Sequence, residues 1–450
     1  MLGPMSMDRR RAAWNWASLG VLLIATPLLL FPGGWRTLAL VSLPLIWIGN
    51  RIFTGQFVPR TPYDGVILCL LIMVLVSLYA TYDISVSLPK VAGVLLGVSA
   101  FYVVVNLADT PDRLRRVLIG IFLLVTALSG LVLVGTAWGR KVPLLGEIGA
   151  QLPALLRGLP GADGGFHPAE VGGTLTWIVF LPLAAFIGLW PQRRSGRSMA
   201  LLVGLALLSG MLCGALVLTQ SRSAWLGFAV GAGVILWLLG RWGRVALIGA
   251  MALGVIGVLW LGPDRFLPGN SVPAEGNQLV ATFSPSLSDR AEIWSRAIYG
   301  IQDFSLTGMG LGTFRYIMPV LYPLFTVSPE ADLGHAHNEW LQAGVDVGLL
   351  GLIAFVALQG LALVLAYRAF RQPAPALLRW LMAGVLAGLV AHTVFGLTDA
   401  VALGAKPGVF FWLLLALTAA VWQLLTRPHP PPAVPTHMTS GPSPKREIQI

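Results

Sequence analysis

Long apolar runs alternate with short, mostly basic connections along almost the whole chain. Runs of membrane-spanning length fall at about 14–32, 35–50, 65–80, 87–107, 117–138, 171–190, 199–219, 224–240, 243–262, 345–367, 377–397 and 405–426. A segment that crosses lipid must satisfy its own backbone, so runs of this length predict helices. The expected fold is therefore all-α: a polytopic membrane protein of about twelve transmembrane helices. The frame divides into nine helices over 1–262, a large external loop over 263–344, three helices over 345–426 and a tail at 427–450. A second external loop spans 139–170. The tail is rich in Pro, Ser and Thr, has little to bury and reads as disordered. The second, third and eighth runs are short, which leaves their ends loosely set.

Composition supports the membrane reading. The 450 residues are 56% hydrophobic and 11% charged, with a mean hydropathy of +0.78, too apolar for a soluble globule. Cys69 and Cys213 both lie inside apolar runs, so neither a disulfide framework nor a cysteine metal site is implied. The net charge of +11 would suit nucleic acid, but its placement gives another explanation. Arg9 to Arg11, Arg51 and Arg60, Arg113 to Arg116, Arg193 to Arg197, Arg241 and Arg244, Arg368 to Arg379, and Arg427 onward all fall on one side of a twelve-helix plan. That asymmetry is the positive-inside rule, with both termini cytoplasmic. The first run follows Arg9–Arg11 as a secretory signal would. It is long and lacks a small-x-small cleavage pattern after Pro32, so it reads as an uncleaved helix.

The chemistry gathers on the external side. From His335 a polar stretch runs through His337, Asn338 and Glu339 into the tenth apolar run. At helical spacing His337, Leu341, Gly344, Gly348 and Gly351 share one face, and Asp346 points to the other. In the large loop, Ser286-Leu287-Ser288-Asp289 reads as a capping box that opens a helix to about Ile301. Trp294, Ala297, Ile298 and Ile301 would form its apolar face with Arg290 among them, while Glu292 and Arg296 pair at i,i+4. An arginine on a packed face needs an anion, either a carboxylate or a ligand. Arg222 stands in the tight hairpin Gln220-Ser221-Arg222-Ser223, at the outer membrane surface, where a lipid headgroup is the ordinary partner.

Together these motifs resemble the O-antigen ligase/polymerase superfamily of integral membrane glycosyltransferases. Thr219 to Gly227 is similar to its signature hairpin. Ser288-Asp289-Arg290 through Gly308-Met309-Gly310-Leu311-Gly312-Thr313-Phe314 resembles its large periplasmic loop. His337-Asn338 followed after nine residues by Gly348-Leu349-Leu350-Gly351 matches its His-Asn-x9-Gly-x-x-Gly motif, and His167 to Gly173 is looser. The likeness covers roughly 80–410. It implies an inverting transfer of a glycan from undecaprenyl pyrophosphate to an acceptor hydroxyl at the periplasmic face of the inner membrane. For a ligase the acceptor is lipid A-core. A polymerase of the same superfamily elongates a second lipid-linked glycan, and some relatives are described as bicarbonate transporters.

On this resemblance Arg222 and Arg290 hold the pyrophosphate as bidentate forks and His337 is the general base. Asn338, Lys90 and His167 are further substrate contacts, although Lys90 could merely snorkel. The expected partners are the lipid-linked glycan, the lipid A-core acceptor and membrane lipids, without nucleic acid, and no cofactor or metal is expected. The chain has no Asp-x-Asp; Glu330, Asp332, His335 and His337 form the alternative metal set. Gly308 to Gly312 reads as a turn before it reads as a phosphate cradle, and His392 and Asp399 have no assigned role. A transporter would place its ionisable residues at mid-membrane, with inverted repeats, whereas here they cluster at the outer ends and in external loops. No pair of external cations besides Arg140-Lys141 is adjacent, which favours the ligase over a polymerase with two pyrophosphates to bind.

Overall fold

The computed structural model describes residues 7–30, 36–139, 141–153, 155–156, 164–261, 287–327 and 332–427. Among these the chain is all-helical, without strands; an isolated parallel bridge joins Thr136 to Phe166. In order the helices are α1 (Met7–Leu30), α2 (Arg36–Thr54), α3 (Asp64–Ala80), α4 (Ile84–Leu107), α5 (Pro111–Gly135), α6 (Pro143–Gln151), α7 (Pro168–Ile178) and α8 (Phe180–Leu189). There follow α9 (Gly196–Leu218), α10 (Arg222–Leu238), α11 (Arg241–Leu261), α12 (Leu287–Asp303), α13 (Phe314–Leu321), α14 (Glu339–Arg371), α15 (Ala376–Gly396) and α16 (Val409–Thr426). Among the described residues, eight spans are long and apolar enough to cross a membrane, with α7 and α8 counted as one. Three further apolar helices, within α2, α3 and α10, are shorter. The protein is a multi-pass membrane protein. The proline at position 182 explains the interruption between α7 and α8, because its ring opposes the carbonyl four residues back, at Ile178.

Local signals set the helix starts. Thr110 caps α5 by accepting from the Arg113 amide, with Pro111 at the first helical position. Ser221 caps α10 in the same way through Ala224, and Asp83 caps α4 through Ser85. The capping box at Ser286 falls outside the described residues, as do Glu330, Arg140, Arg157, Arg265 and the tail from 428.

The centre of the bundle is α15, which packs against α7, α8, α10, α14 and α16. Close approach needs small residues, since lipid supplies no hydrophobic drive between helices. A Cβ at Gly227 of α10 would collide with the Ala391 carbonyl, and one at Gly388 of α15 with that of Trp177. A second, separate core lies in the segment between α11 and α14, built from Ile293, Ala297, Met309, Phe314, Met318, Leu333 and Ala336. It rests on α14 through Val345.

Several sequence expectations change here. His337 is not helical; its φ is +48° and α14 starts at Glu339. The helix then breaks at Gly348, with φ +69° and ψ −179°, so no continuous face runs from His337 to Gly351. The Gly308–Gly312 segment fills the break. Met309 N–H donates to the Val345 carbonyl at 2.7 Å, and Leu349 N–H to that of Ser305 at 2.7 Å. Gly308 itself has φ +69°, and a Cβ there would press on Asp346 and Gly348. These glycines are a strap that satisfies the broken helix, which explains both glycine groups at once. In α12 the buried residues are Ile293, Ala297 and Gly300, while Ile298 is 44% exposed. The face is thus rotated from the predicted one; Arg290, one turn before Ile293, still lies on it.

Candidate functional site

The site forms where the turn before α14 meets the turn after α15. His337 Nδ1 stands 3.6 Å from Asp399 Oδ1, and His335 Nε2 stands 3.8 Å from the same oxygen. The two imidazoles meet edge to face with centroids 4.3 Å apart, and the His337 amide donates to His335 Nδ1. Trp294 of α12 fixes the turn by donating its indole N–H to the His337 carbonyl at 3.3 Å. Gln342 accepts from the Ala336 amide and donates to Asp346, whose same oxygen accepts from the Gly312 amide. Asp346 therefore joins the glycine strap to the histidine turn; the sequence placed it on the far side.

Asn338 has a local task. Its carboxamide oxygen accepts from the Trp340 and Leu341 amides, both at 3.0 Å, and its NH2 donates to the Leu397 carbonyl at 3.0 Å. It ties α14 to the end of α15, so the predicted substrate contact becomes a structural cap.

The cations arrive from separate segments. Arg222 is the first residue of α10 and is exposed. Arg290 projects from α12, and its Nε is buried without a hydrogen-bond partner among the described residues. Arg290 lies within electrostatic reach of Arg222 and Asp399; burial and Arg222 lower its affinity for the proton while Asp399 raises it. Arginine stays charged through such shifts. Lys141 feels Asp399, Arg222 and Arg290, and His167 feels Asp399, Lys141 and His337. Lys90, in the second turn of α4, lies against Gly312 and acts on His335 and Asp346. Asp399 thus lies within electrostatic reach of Arg290, Lys141, His167, His335 and His337; Arg222 joins through Arg290 and Lys141, Lys90 through His335, and His167 is solvent-exposed.

Lys141 and Asp399 were missed as site residues. Lys141 is held by Gln220, which accepts from the Val142 amide at 2.7 Å and donates to the Gly139 carbonyl at 2.6 Å. Gln220 and His337 are the two described non-glycine residues with left-handed backbone, and both shape this site. Burial pushes the Asp399 carboxyl up, but His337 and His335 outweigh it and hold the group below the usual carboxylate range. Burial, then His337, pushes His335 down to about 3, so it is neutral at pH 7.

Of the alternative metal set, Glu330 lies outside the described residues. Asp332 is paired with Arg315 at 2.6 Å. His335, His337 and Asp399 instead bring their ligand atoms within 4.8 Å of one another. The Glu292–Arg296 pair forms at 3.6 Å, and Arg296 also donates to the Pro323 carbonyl.

Residues 207–356 match the sequence model of the family described as O-Antigen ligase. The match covers one third of the chain and makes that segment O-antigen ligase-like. The matched segment carries Arg222, Arg290, His337 and the Gly348–Gly351 pair. Lys90, Lys141, His167 and Asp399 lie outside it, contributed by the flanking helices and loops. No curated protein matches the chain.

Proposed function

We propose that the protein is an O-antigen ligase-type inverting glycosyltransferase. It moves a glycan from undecaprenyl pyrophosphate to a hydroxyl of lipid A-core at the periplasmic face of the inner membrane, with both termini cytoplasmic. The observation that carries the reading is the meeting of one histidine–carboxylate pair with Arg222 and Arg290 from distant segments. A proton on Nδ1, facing Asp399, leaves the Nε2 lone pair to take the proton of the acceptor hydroxyl. The hydroxyl oxygen bonds to the anomeric carbon as the bond to pyrophosphate breaks, which inverts that centre. Charge then builds on the leaving pyrophosphate. Arg222, Arg290 and Lys141 neutralise it, and the unpartnered Arg290 Nε is a donor placed for a phosphate oxygen. Lys90 acts through Asp346 and His335 rather than on the donor.

A transporter is disfavoured by the break in α14. Its freed backbone groups are met by the 305–309 strap, where a carrier would turn them toward an ion. A polymerase would need a second pyrophosphate site. Among the described external cations, Arg296 and Arg315 are engaged by Glu292 and Asp332, Lys141 joins the first site, and Lys406 is likewise engaged. The test is reconstitution with lipid-linked glycan, with and without lipid A-core. Transfer only when core is present is expected; chain lengthening without core would overturn the ligase assignment.

A further inference from the structure

At the opposite end of the bundle lies a polar cavity that the transfer reaction does not use. The helices α4 and α16 set the distance: α4 has Lys90 at the candidate site and reaches the cavity at Asn106, and α16 reaches it at Gln423. A run of 16 residues from Lys90 to Asn106 separates the two by roughly 24 Å along the helix. The cavity holds about 400 Å³ and draws Arg11 from α1, Arg113 from α5 and Arg427 beyond α16 to one wall system.

Its charge is unbalanced. Asp109 is the acidic residue in the lining, and it is bound by Arg113 at 2.7 Å. Arg427 donates to the Asp109 backbone carbonyl at 2.6 Å rather than to a carboxylate. Thr110 and Arg113, at the start of α5, also line the cavity, so the positive end of that helix opens into it. A second feature lies deeper. Asn15 is 92% buried by its 8% exposure; its NH2 donates to the Asn106 carbonyl at 3.1 Å, but its Oδ1 is buried with no partner among the described residues. A buried acceptor of this kind calls for a donor from the occupant.

We infer that this cavity binds the headgroup of an anionic glycerophospholipid, its phosphodiester on Arg11, Arg113 and Arg427 and a free hydroxyl donating to Asn15 Oδ1. A choline headgroup fails on both counts, because it carries a compensating cation and no donor. The helix ends that frame the cavity lie where headgroups lie, and clustered arginines at that depth favour anionic lipid. The inference does not depend on the transferase assignment.

The test is thermal unfolding of the detergent-purified full chain titrated with short-chain phosphatidylglycerol, phosphatidylcholine, phosphatidylmethanol and soluble glycerol 3-phosphate. Wild type should show a saturable rise in Tm with phosphatidylglycerol, a weaker response to phosphatidylmethanol and none to phosphatidylcholine. Arg11→Gln with Arg427→Gln should raise the half-saturating concentration at least tenfold, while the Arg→Lys pair should keep most of the response. Asn15→Ala should erase the difference between phosphatidylglycerol and phosphatidylmethanol. Equal half-saturation in wild type and the Arg→Gln variant, or equal responses to phosphatidylglycerol and phosphatidylcholine, would overturn the site. A full, variant-sensitive shift from glycerol 3-phosphate alone would overturn the lipid as its source.

Discussion

His337 faces Asp399 and His392 faces Glu339, two histidine–carboxylate pairs at the same junction of α14 and α15. The His392 pair is sealed. Its imidazole is 1% exposed, contacts Glu339 at 3.1 Å, meets the Gly173 carbonyl and Thr176 through Nδ1, and stacks on Trp177 at 3.7 Å. The His337 pair is open. Its side chain is 13% exposed, its backbone is left-handed, and its Nδ1 lacks a partner within hydrogen-bond distance among the described residues. Cations surround the second pair, whereas apolar rings and backbone surround the first. The same two chemical groups therefore clasp two helices in one place and, under the proposed function, supply the base in the other. The bonding of the imidazole, and not residue type, separates them: both His392 nitrogens are engaged, although Glu339 Oε2 is itself buried without a hydrogen-bond partner among the described residues.

The largest expected effect is on turnover. His337→Ala should lower transfer by roughly 10²–10⁴-fold with little change in Tm. His392→Ala should do the reverse, lowering Tm by roughly 5 °C or more, because it strands the buried Glu339, while leaving most of the activity. Tm and initial rate measured on both proteins check this, and equal losses of rate would erase the distinction between the pairs.

Next come the arginines. Arg222→Ala and Arg290→Ala should each cost roughly 10²-fold in transfer, with Lys recovering less than about tenfold of that, since an ammonium cannot reproduce the fork. Full recovery by Lys would show that charge alone suffices.

A smaller effect concerns acid stability. His335 is held neutral in the fold, so the unfolded chain binds more protons below its ordinary pKa of about 6.5. Its contribution to stability is present above that value and falls away as pH drops toward about 3. Tm of His335→Asn should therefore fall less steeply than wild type across that window. Parallel curves would contradict the burial of His335.

The smallest effect is expected at Arg296. Its Glu292 partner and the Pro323 carbonyl are local, so Arg296→Ala should change transfer less than about twofold.

Much of this was readable before the structure. Hydrophobic run length located the helices because lipid leaves the backbone no alternative. The two arginines and His337 stood out as polar groups at the ends of apolar elements. The rest depended on long-range packing. Asp399 is 62 positions from His337, and only the α14–α15 contact makes it a partner. Helical periodicity failed at His337 and Gly348 because left-handed backbone interrupts the period it assumes. The strap at Gly308–Gly312 looked like a turn because its bonding partner is the broken backbone of another helix, which carries no side-chain signal.

The most direct test of the base assignment is chemical rescue of His337→Ala by added imidazole, with lipid-linked glycan and lipid A-core supplied. The account predicts saturable recovery of core-dependent transfer that follows the free-base fraction of imidazole, and no such recovery in Arg290→Ala. Folded His337→Ala protein that binds the donor yet gains nothing from imidazole, or that already turns over at the wild-type rate, would contradict it.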